Sequence, residues 1–331
     1  MGIKDLNQFI RMNCSEEAVK KFKLFELSGK KIAVDISIYL YKYVSDNNLI
    51  ENMFTLLGCF RENNIIPIFV FDGKSPAEKK ALLEQRKQEK KAAEREYNNL
   101  KKILETNDGM EEIDKQEIIV SMDLLKKQFT YINKEHIKKV KHLIVSFGMT
   151  YYDAPGEADE LCALLAVKKK VWAVMSEDMD MFVYGSPRVL RYFSLLNQNV
   201  VVYNMKLILE ELTLTQKEFR EICVLSGTDY NRHLNNNKNN LTNSLKMFKK
   251  YRKSIKELNS SEEIVPSYYD WVQEKTDCIE DYDVLMNIYH MFDLNAETHN
   301  HLEIFENIKI MNGSVDMEAM KPLLLEEGFI F

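Results

Sequence analysis

Long apolar runs are missing from this 331-residue chain. Stretches such as Ile65 to Phe71 fall far short of the roughly 20 residues that a membrane span requires, so neither a bilayer crossing nor a membrane partner is expected. Glycine (11) and proline (6) are scarce, which excludes collagen-like and low-complexity architectures and leaves a composition tolerant of helix. The cysteines, Cys14, Cys59, Cys162, Cys223 and Cys278, are odd in number and never spaced as C-x-x-C. That pattern excludes a disulfide scaffold and fits reduced thiols filling a core inside the cell. Lys4, Asp5 and Arg11 interrupt every short run after the N-terminus, so no secretory leader is expected. Met1-Gly2 has the form of a myristoylation start, but position 6 is Leu6 rather than Ser or Thr.

What is present describes an ordinary globular protein: 45% hydrophobic and 29% charged residues, with length for about two domains or one large α/β domain with insertions. The balance of 45 Lys+Arg against 51 Asp+Glu gives a formal charge of −6, which taken whole counts against a polyanionic partner.

Ile32 to Asp35 and Ile66 to Asp72 are short runs rich in β-branched and aromatic residues, each ending in an aspartate. Met149 to Ala154 and Val171 to Ser176 are similar and also lead into acids. These runs predict buried parallel strands. Helical stretches lie between them, at Ser37 to Val44, Asn52 to Asn63 and Glu157 to Lys168. The alternation predicts an α/β fold with a central sheet covered on both faces, in which a site lies beyond the carboxyl ends of the strands. Two segments break the alternation. Ala77 to Asp108 contains no Gly or Pro and has the composition of a long solvated helix; a second helical stretch is expected from Lys115 to about Phe147. Lys79 to Lys102 carries nine basic residues against four acidic ones, and Lys246 to Lys256 carries six basic residues and no acid. A run of this kind taken alone reads as a solvated helix face. After about Asn259 the chain is a series of short helical patterns without an assignable motif. The Asn-rich patch from Asn231 to Asn240 is the one low-complexity stretch.

Seven carboxylates stand where that sheet rule puts chemistry: Asp35, Asp72, Glu157, Asp159, Asp178, Asp180 and Asp229. Acids near a helix start are favoured by capping and by the macrodipole, so each has a structural explanation of its own. Gathered in one cleft they would repel one another, and several would stay protonated unless cations neutralised them. Oxygen ligands without His or Cys select Mg²⁺ or Mn²⁺. Two such ions about 4 Å apart serve in-line phosphodiester displacement without a histidine base. Apart from His233, no histidine lies near these motifs, and His299-Asn-His301 has no companion ligands. No Walker-type loop or nucleophilic triad is evident.

Six segments carry a family resemblance: Met1-Gly-Ile-Lys-Asp-Leu6, Val34-Asp-Ile-Ser37, Val70-Phe-Asp-Gly-Lys74, Asp153-Ala-Pro-Gly-Glu-Ala-Asp159, Ser176-Glu-Asp-Met-Asp180 and Gly227-Thr-Asp-Tyr230. In their order and spacing, from residue 1 to about 250, they resemble the flap endonuclease and xeroderma pigmentosum G (RAD2-like) family of structure-specific 5′ nucleases. The resemblance implies a PIN-like, mostly parallel sheet flanked by helices, with a helical arch insertion and a C-terminal helical region. The implied division is 1–106, the N-terminal nuclease region with the start of the arch; 107–147, the arch and connecting helices; 148–258, the internal nuclease region with a degenerate helix-two-turn-helix; and 259–331, C-terminal helices. The implied activity is Mg²⁺-dependent 5′ flap endonuclease cleavage of branched or flapped DNA, with 5′-to-3′ exonuclease activity, in replication, repair or recombination, and with Mn²⁺ able to substitute. In the implied two-metal site, Asp35, Asp72, Glu157 and Asp159 would serve mainly the first ion. Asp178, Asp180 and Asp229 would serve mainly the second, with Asp159 near both.

By the same resemblance Lys79 and Arg86, seven residues apart and so on one helix face, would stabilise phosphorane charge at the base of the arch. Tyr41 matches a tyrosine that stacks on the base beside the scissile phosphate, with a buried core tyrosine as the alternative. Gly2 would lie under the cleft, and Lys246, Lys249 and Lys250 would contact duplex phosphates. The chain departs from the family in three places. Where the family has a glycine-rich hairpin that binds duplex, often with potassium, there is no Gly between Gly227 and Gly313; Asn is the next most tolerant of left-handed backbone. Asp159 stands where most relatives have Glu. The C-terminal Leu325 to Phe331 has no Gln-led clamp-binding motif, so a sliding-clamp partner is not expected, and a monomer is. A catalytically quiet DNA-junction scaffold is the alternative, although a scaffold has no need for seven mutually repelling acids. A two-metal phosphatase for small substrates would not need the long cationic helix. The expected location is the nucleus or a viral replication site.

Overall fold

The β-branched and aromatic runs pair into one sheet in the computed structural model, which describes residues 2–106, 112–231, 239–258, 266–295, 302, 304, 305 and 307–330. Its strands are β1 (Val19–Lys23), β2 (Lys31–Asp35), β3 (Ile66–Phe71), β4 (Thr150–Asp153), β5 (Ala173–Met175), β6 (Arg188–Ser194) and β7 (Asn199–Asn204). They lie in the order β1-β7-β6-β5-β2-β3-β4. The four expected strands are parallel neighbours, with Val34 registered against both Phe69 and Met175, and Phe71 against Asp153. β6 continues the parallel set beside β5, while β7 and β1 run antiparallel at one edge. That edge carries Lys20, Lys21 and Lys23 on β1, a charge pattern that discourages pairing with another chain.

Successive strand residues feed opposite cores, as the pleat requires. Ala33, Ile68, Val70, Val174 and Val189 face one core with α1 (Leu6–Asn13), α7 (Ala158–Val167), α8 (Asp180–Tyr184), α9 (Met205–Leu212) and α10 (Gln216–Ser226). Ile32, Val34, Phe69, Phe71, Met175 and Leu190 face the other with α2 (Ser37–Ser45) and α3 (Leu49–Glu62). Both faces are therefore covered, as parallel strands demand.

The long insertion is α4 (Lys80–Thr106), 27 residues of which only Ala93 is buried, paired with α5 (Glu112–Gln128). The second helical stretch expected from Lys115 to Phe147 is two helices rather than one. It breaks after α5, and α6 (Lys134–Ser146) restarts where the Asn133 side chain accepts the His136 amide at 2.8 Å. Val140, Leu143 and Ile144 then bury α6 in the second core, so α6 belongs to the body and α4 with α5 to the projection. After α11 (Leu241–Leu258) come α12 (Tyr268–Lys275) and α13 (Tyr282–Met291), whose Tyr268, Tyr269, Val272 and Ile288 join the first core. The last helix, α14 (Met317–Glu326), returns to α6 and adds Met320, Leu323 and Leu324 to the second.

Candidate active site

β2 and β5 are adjacent although they are far apart in sequence, because the chain moves outward through β3 and β4 before returning to the other side of β2. Such a reversal opens a crevice at the carboxyl ends of the strands. Asp35 closes β2 there, 8% exposed. Its oxygens accept the Ser37 amide at 3.2 Å and the Ser176 hydroxyl at 2.9 Å. Asp72, one residue beyond β3, accepts the Ser37 hydroxyl and, at 2.8 Å, the amide of Ala158 at the start of α7. The next residue has no room for a side chain: a Cβ on Gly73 would lie 2.0 Å from the Ala154 carbonyl oxygen. Its amide instead donates to Gly156 at 2.7 Å, which fixes the turn carrying Glu157 and Asp159 against the end of β3.

The loop after β5 supplies Asp178 and Asp180. The Ser176 hydroxyl accepts the Asp178 amide at 3.1 Å, and Asp178 Oδ1 accepts the Asp180 amide at 3.0 Å, so both turns are built from the motif's own side chains. Asp159, Asp178 and Asp180 are buried, each with an oxygen within 4.8 Å of the others'. Asp180 is 1% exposed, and neither of its oxygens has a hydrogen-bond donor among the described residues. Gly2 lies against this cluster with φ +74°; a Cβ there would fall 2.4 Å from both the Asp178 and Asp180 carboxylates. That contact accounts for a glycine at position 2.

The electrostatics follow from this crowding. Burial, then Asp72, pushes the Asp35 carboxyl up to about 7, against the pull of the Ser176 and Ser37 hydrogen bonds. Burial raises Asp159 and Asp180 well above the carboxylate range, with Glu157 and Asp178 as their respective strongest charged neighbours. Asp178 is raised by burial, offset in part by the Asp180 amide. Oxygen donors alone, buried and mutually repelling, with both Asp180 oxygens free of donors, fit a hard divalent cation.

Two cations from the base of the projection reach the acids. Lys79 Nζ pairs with Glu157 Oε1 at 2.7 Å, and Arg86 Nη2 with Asp229 Oδ2 at 2.8 Å. Burial pulls the Lys79 pKa down, but Glu157 and Asp159 outweigh it and the ammonium is held above its usual range. The geometry thus brings Lys79, Arg86 and all seven acids to one end of the sheet, linked through Ser37, Ser176 and these pairs.

Tyr41 is 45% exposed, and Lys90 Nζ sits 4.6 Å from its ring centroid, so it is no core residue. Lys246, Lys249 and Lys250 lie on the exposed face of α11, opposite the buried Met247 and Phe248, and do not touch the acids. Of the Asn-rich patch, Asn231 is buried and accepts the Thr228 amide at 2.6 Å; His233 and the rest of 232–238, like His299 and His301, lie outside the described residues. Sequence reasoning missed Ser37, Ser176 and Tyr230, whose hydroxyl donates to Glu157 Oε2 at 2.8 Å. All three are inside the quoted motifs, two residues or fewer from an acid, and that proximity was the available signal.

Residues 1–93 match the XPG N-terminal domain and residues 148–229 the XPG I-region. The flap endonuclease 1 of Encephalitozoon cuniculi is 34% identical over 247 residues, covering 70% of this chain and 68% of that protein. That of Homo sapiens is 30% identical over 248 residues, covering 70% of this chain and 62% of the human protein. The match therefore spans about three-fifths to two-thirds of these relatives. Among solved structures, the catalytic core of Rad2 in complex with DNA substrate superposes with a TM-score of 0.65 at 20% identity, over 99% of this chain and 95% of that one. The flap endonuclease-1 from Methanococcus jannaschii gives 0.60 at 21% identity, over 93% and 90%. At these identities the structures share the fold.

Proposed function

Since the chain belongs to the XPG/Rad2/flap endonuclease family of structure-specific nucleases, we propose that it is a divalent-metal-dependent 5′ flap endonuclease with 5′-to-3′ exonuclease activity on branched DNA. It would act in replication, repair or recombination. The observation that carries the reading is the buried Asp159, Asp178 and Asp180 cluster, with Lys79 arriving from the turn just before the projecting helix and Arg86 from its first turns.

Asp35, Asp72, Glu157 and Asp159 would hold mainly one Mg²⁺ and Asp178, Asp180 and Asp229 mainly a second, with Asp159 near both. When bound, such ions activate water and stabilise the attacking and leaving oxygens of a phosphodiester. Lys79 and Arg86 place positive charge beside those acids, where it stabilises the charge that develops on the phosphoryl oxygens. Tyr41, exposed near the same end, offers a face on which a base can stack. The basic residues of α4 line the route of a single strand, and Lys246, Lys249 and Lys250 on α11 follow duplex phosphates.

One assay tests this: purified protein with Mg²⁺ or EDTA on flap, nicked, single-stranded and Holliday-type DNA, each labelled at the 5′ end. Mg²⁺-dependent incision near the flap junction is expected. Absence of cleavage on every substrate, or cleavage that survives EDTA, overturns the reading.

A further inference from the structure

Glu177 stands directly before Asp178 in the Ser176-to-Asp180 motif, yet its side chain turns away from the acids. Its partners lie on β6, behind the loop. Arg191 is buried, 7% exposed, and its guanidinium faces the loop from the sheet side. Nη2 donates to the Glu177 carbonyl at 3.0 Å, and Nε lies 3.4 Å from Glu177 Oε2. Nη1 donates to Asn7 Oδ1 at 2.9 Å and contacts Met179 Sδ at 2.8 Å. Asn7, on α1, also accepts the Tyr203 hydroxyl at 2.7 Å and donates to the Tyr192 hydroxyl at 2.9 Å.

The backbone is bent to allow this. The register between β6 and β7 shifts between Arg191 and Ser194, and Tyr192 has φ 56°. A β-bulge of this kind re-aims side chains, and a left-handed tyrosine costs energy that the surroundings must offset. Here the Tyr192 amide donates to Glu177 Oε1, so both Arg191 and its neighbour hold the same loop.

We propose that Arg191, with Asn7 and Glu177, is a positioning network that fixes the loop bearing Asp178 and Asp180 and couples it to the N-terminal segment bearing Gly2. One guanidinium fork spans two elements that meet at the acids: the loop after β5 through the Glu177 carbonyl, and α1 through Asn7. Gly2, four residues ahead of α1, lies against Asp178 and Asp180. A planar fork with several donors in fixed directions can hold both at once; a lysine ammonium at that position cannot. Groups that orient metal ligands typically change metal affinity by 10- to 100-fold when removed.

The inference rests on reading Asp178 and Asp180 as metal ligands, and its test separates the two. Mn²⁺ binding to the protein alone is followed by electron paramagnetic resonance, alongside Mg²⁺ titrations of flap cleavage. In Arg191→Met and Arg191→Lys, Mn²⁺ affinity is expected to fall about 10- to 100-fold. The Mg²⁺ midpoint for cleavage is expected to rise while KM for DNA stays near wild type. Because Asn7 acts through Arg191, Asn7→Ala should lose little more in the Arg191→Met background. Wild-type Mn²⁺ affinity in Arg191→Met, or fully additive losses in the double variant, overturns the network. If Arg191→Met does not fold, Asn7→Ala with an unchanged thermal midpoint decides: weakened Mn²⁺ binding supports the network and wild-type binding overturns it. A wild-type protein that binds no Mn²⁺ overturns the metal reading and the network with it. Metal binding lost in the variants of a protein that cuts no DNA sinks only the nuclease reading.

Discussion

Asp180 is hard to explain by stability alone. A carboxylate 1% exposed, beside Asp159 and Asp178 and with no donor to either oxygen among the described residues, weakens the fold that contains it. Asp178→Ala or Asp180→Ala is therefore expected to abolish cleavage and leave DNA binding largely intact. Asp180→Ala, which removes no side-chain hydrogen bond, should in EDTA have a thermal midpoint equal to or above that of wild type, whereas Asp178→Ala also loses the acceptor of the Asp180 amide and should lower it. A variant that cuts at the wild-type rate in Mg²⁺ would show that the acid is not a ligand. Glu221 on α10 shows the contrasting case, a buried acid away from this cluster. Burial pushes its carboxyl from 4.5 up to about 7, with Lys217 and Arg220 pulling the other way. Between those values the folded protein keeps a proton that the unfolded chain has lost, so stability falls as pH rises through that window and stays reduced above it. Glu221→Gln should flatten that slope and raise the thermal midpoint relative to wild type at pH 8 but not at pH 4. An unchanged difference across the two pH values would contradict the burial argument.

At the scale of elements, α4 presents an unusual balance, a helix of 27 residues with one buried side chain. Its attachment includes the contacts of its base: Arg86 to Asp229, Lys90 over Tyr41 and to the Thr130 carbonyl at 3.0 Å, with Lys79 on Glu157 just before it. Those contacts put two cations beside the acids, so Lys79→Ala and Arg86→Ala should each lower single-turnover cleavage by about 10²–10³-fold, the range for removing one preorganised donor. Flap affinity should change far less, and a loss confined to affinity would move both residues out of the chemistry. The sequence disclosed this part of the molecule well. β2, β3 and β5 follow from apolar runs buried on both faces, and the acids from motifs in which every residue is local to the next. β4 was expected to be buried too, but it is the edge of the sheet, with Thr150, Tyr151 and Tyr152 half-buried and Asp153 exposed. It was silent where pairing is tertiary. Val19–Lys23 is too lysine-rich to read as a strand, and becomes β1 only because β7 lies beside it. The break between α5 and α6 is set by an Asn133 cap that composition does not distinguish from a helical asparagine. The return of α14 onto α6 joins residues almost two hundred positions apart, as in Lys139 with Glu326 and Glu327, and no periodicity records that.

For the molecule as a whole, the formal −6 is an average over very unequal parts. Lys79 to Lys102 carries +5 and Lys246 to Lys256 carries +6, leaving −17 for the remainder. The first run arms the projecting helix, and the second lies on a face of α11 whose opposite side is core. Seven of the remaining negative charges converge at the end of the sheet, where phosphate would have to approach. Burial holds several of these acids protonated until a cation arrives. Under the two-metal proposal two divalent cations would, on formal charges, return +4 and bring the total to −2, so the charge that counted against DNA becomes a reason for metal to precede DNA. The screened, long-range part of that effect is measurable. Affinity for flap DNA should be higher in a non-cleaving divalent ion such as Ca²⁺ than in EDTA at the same ionic strength. In Ca²⁺, the Lys249→Ala, Lys250→Ala double variant should lower the slope of log affinity against log salt by about 1.8, from roughly 0.9 per phosphate contact. It should weaken flap, nicked and Holliday substrates to a similar extent, because backbone contacts carry no sequence information and all three present duplex. A salt slope equal to that of wild type would remove α11 from the DNA path and leave the basic face of α4 as the principal cationic surface for the strand.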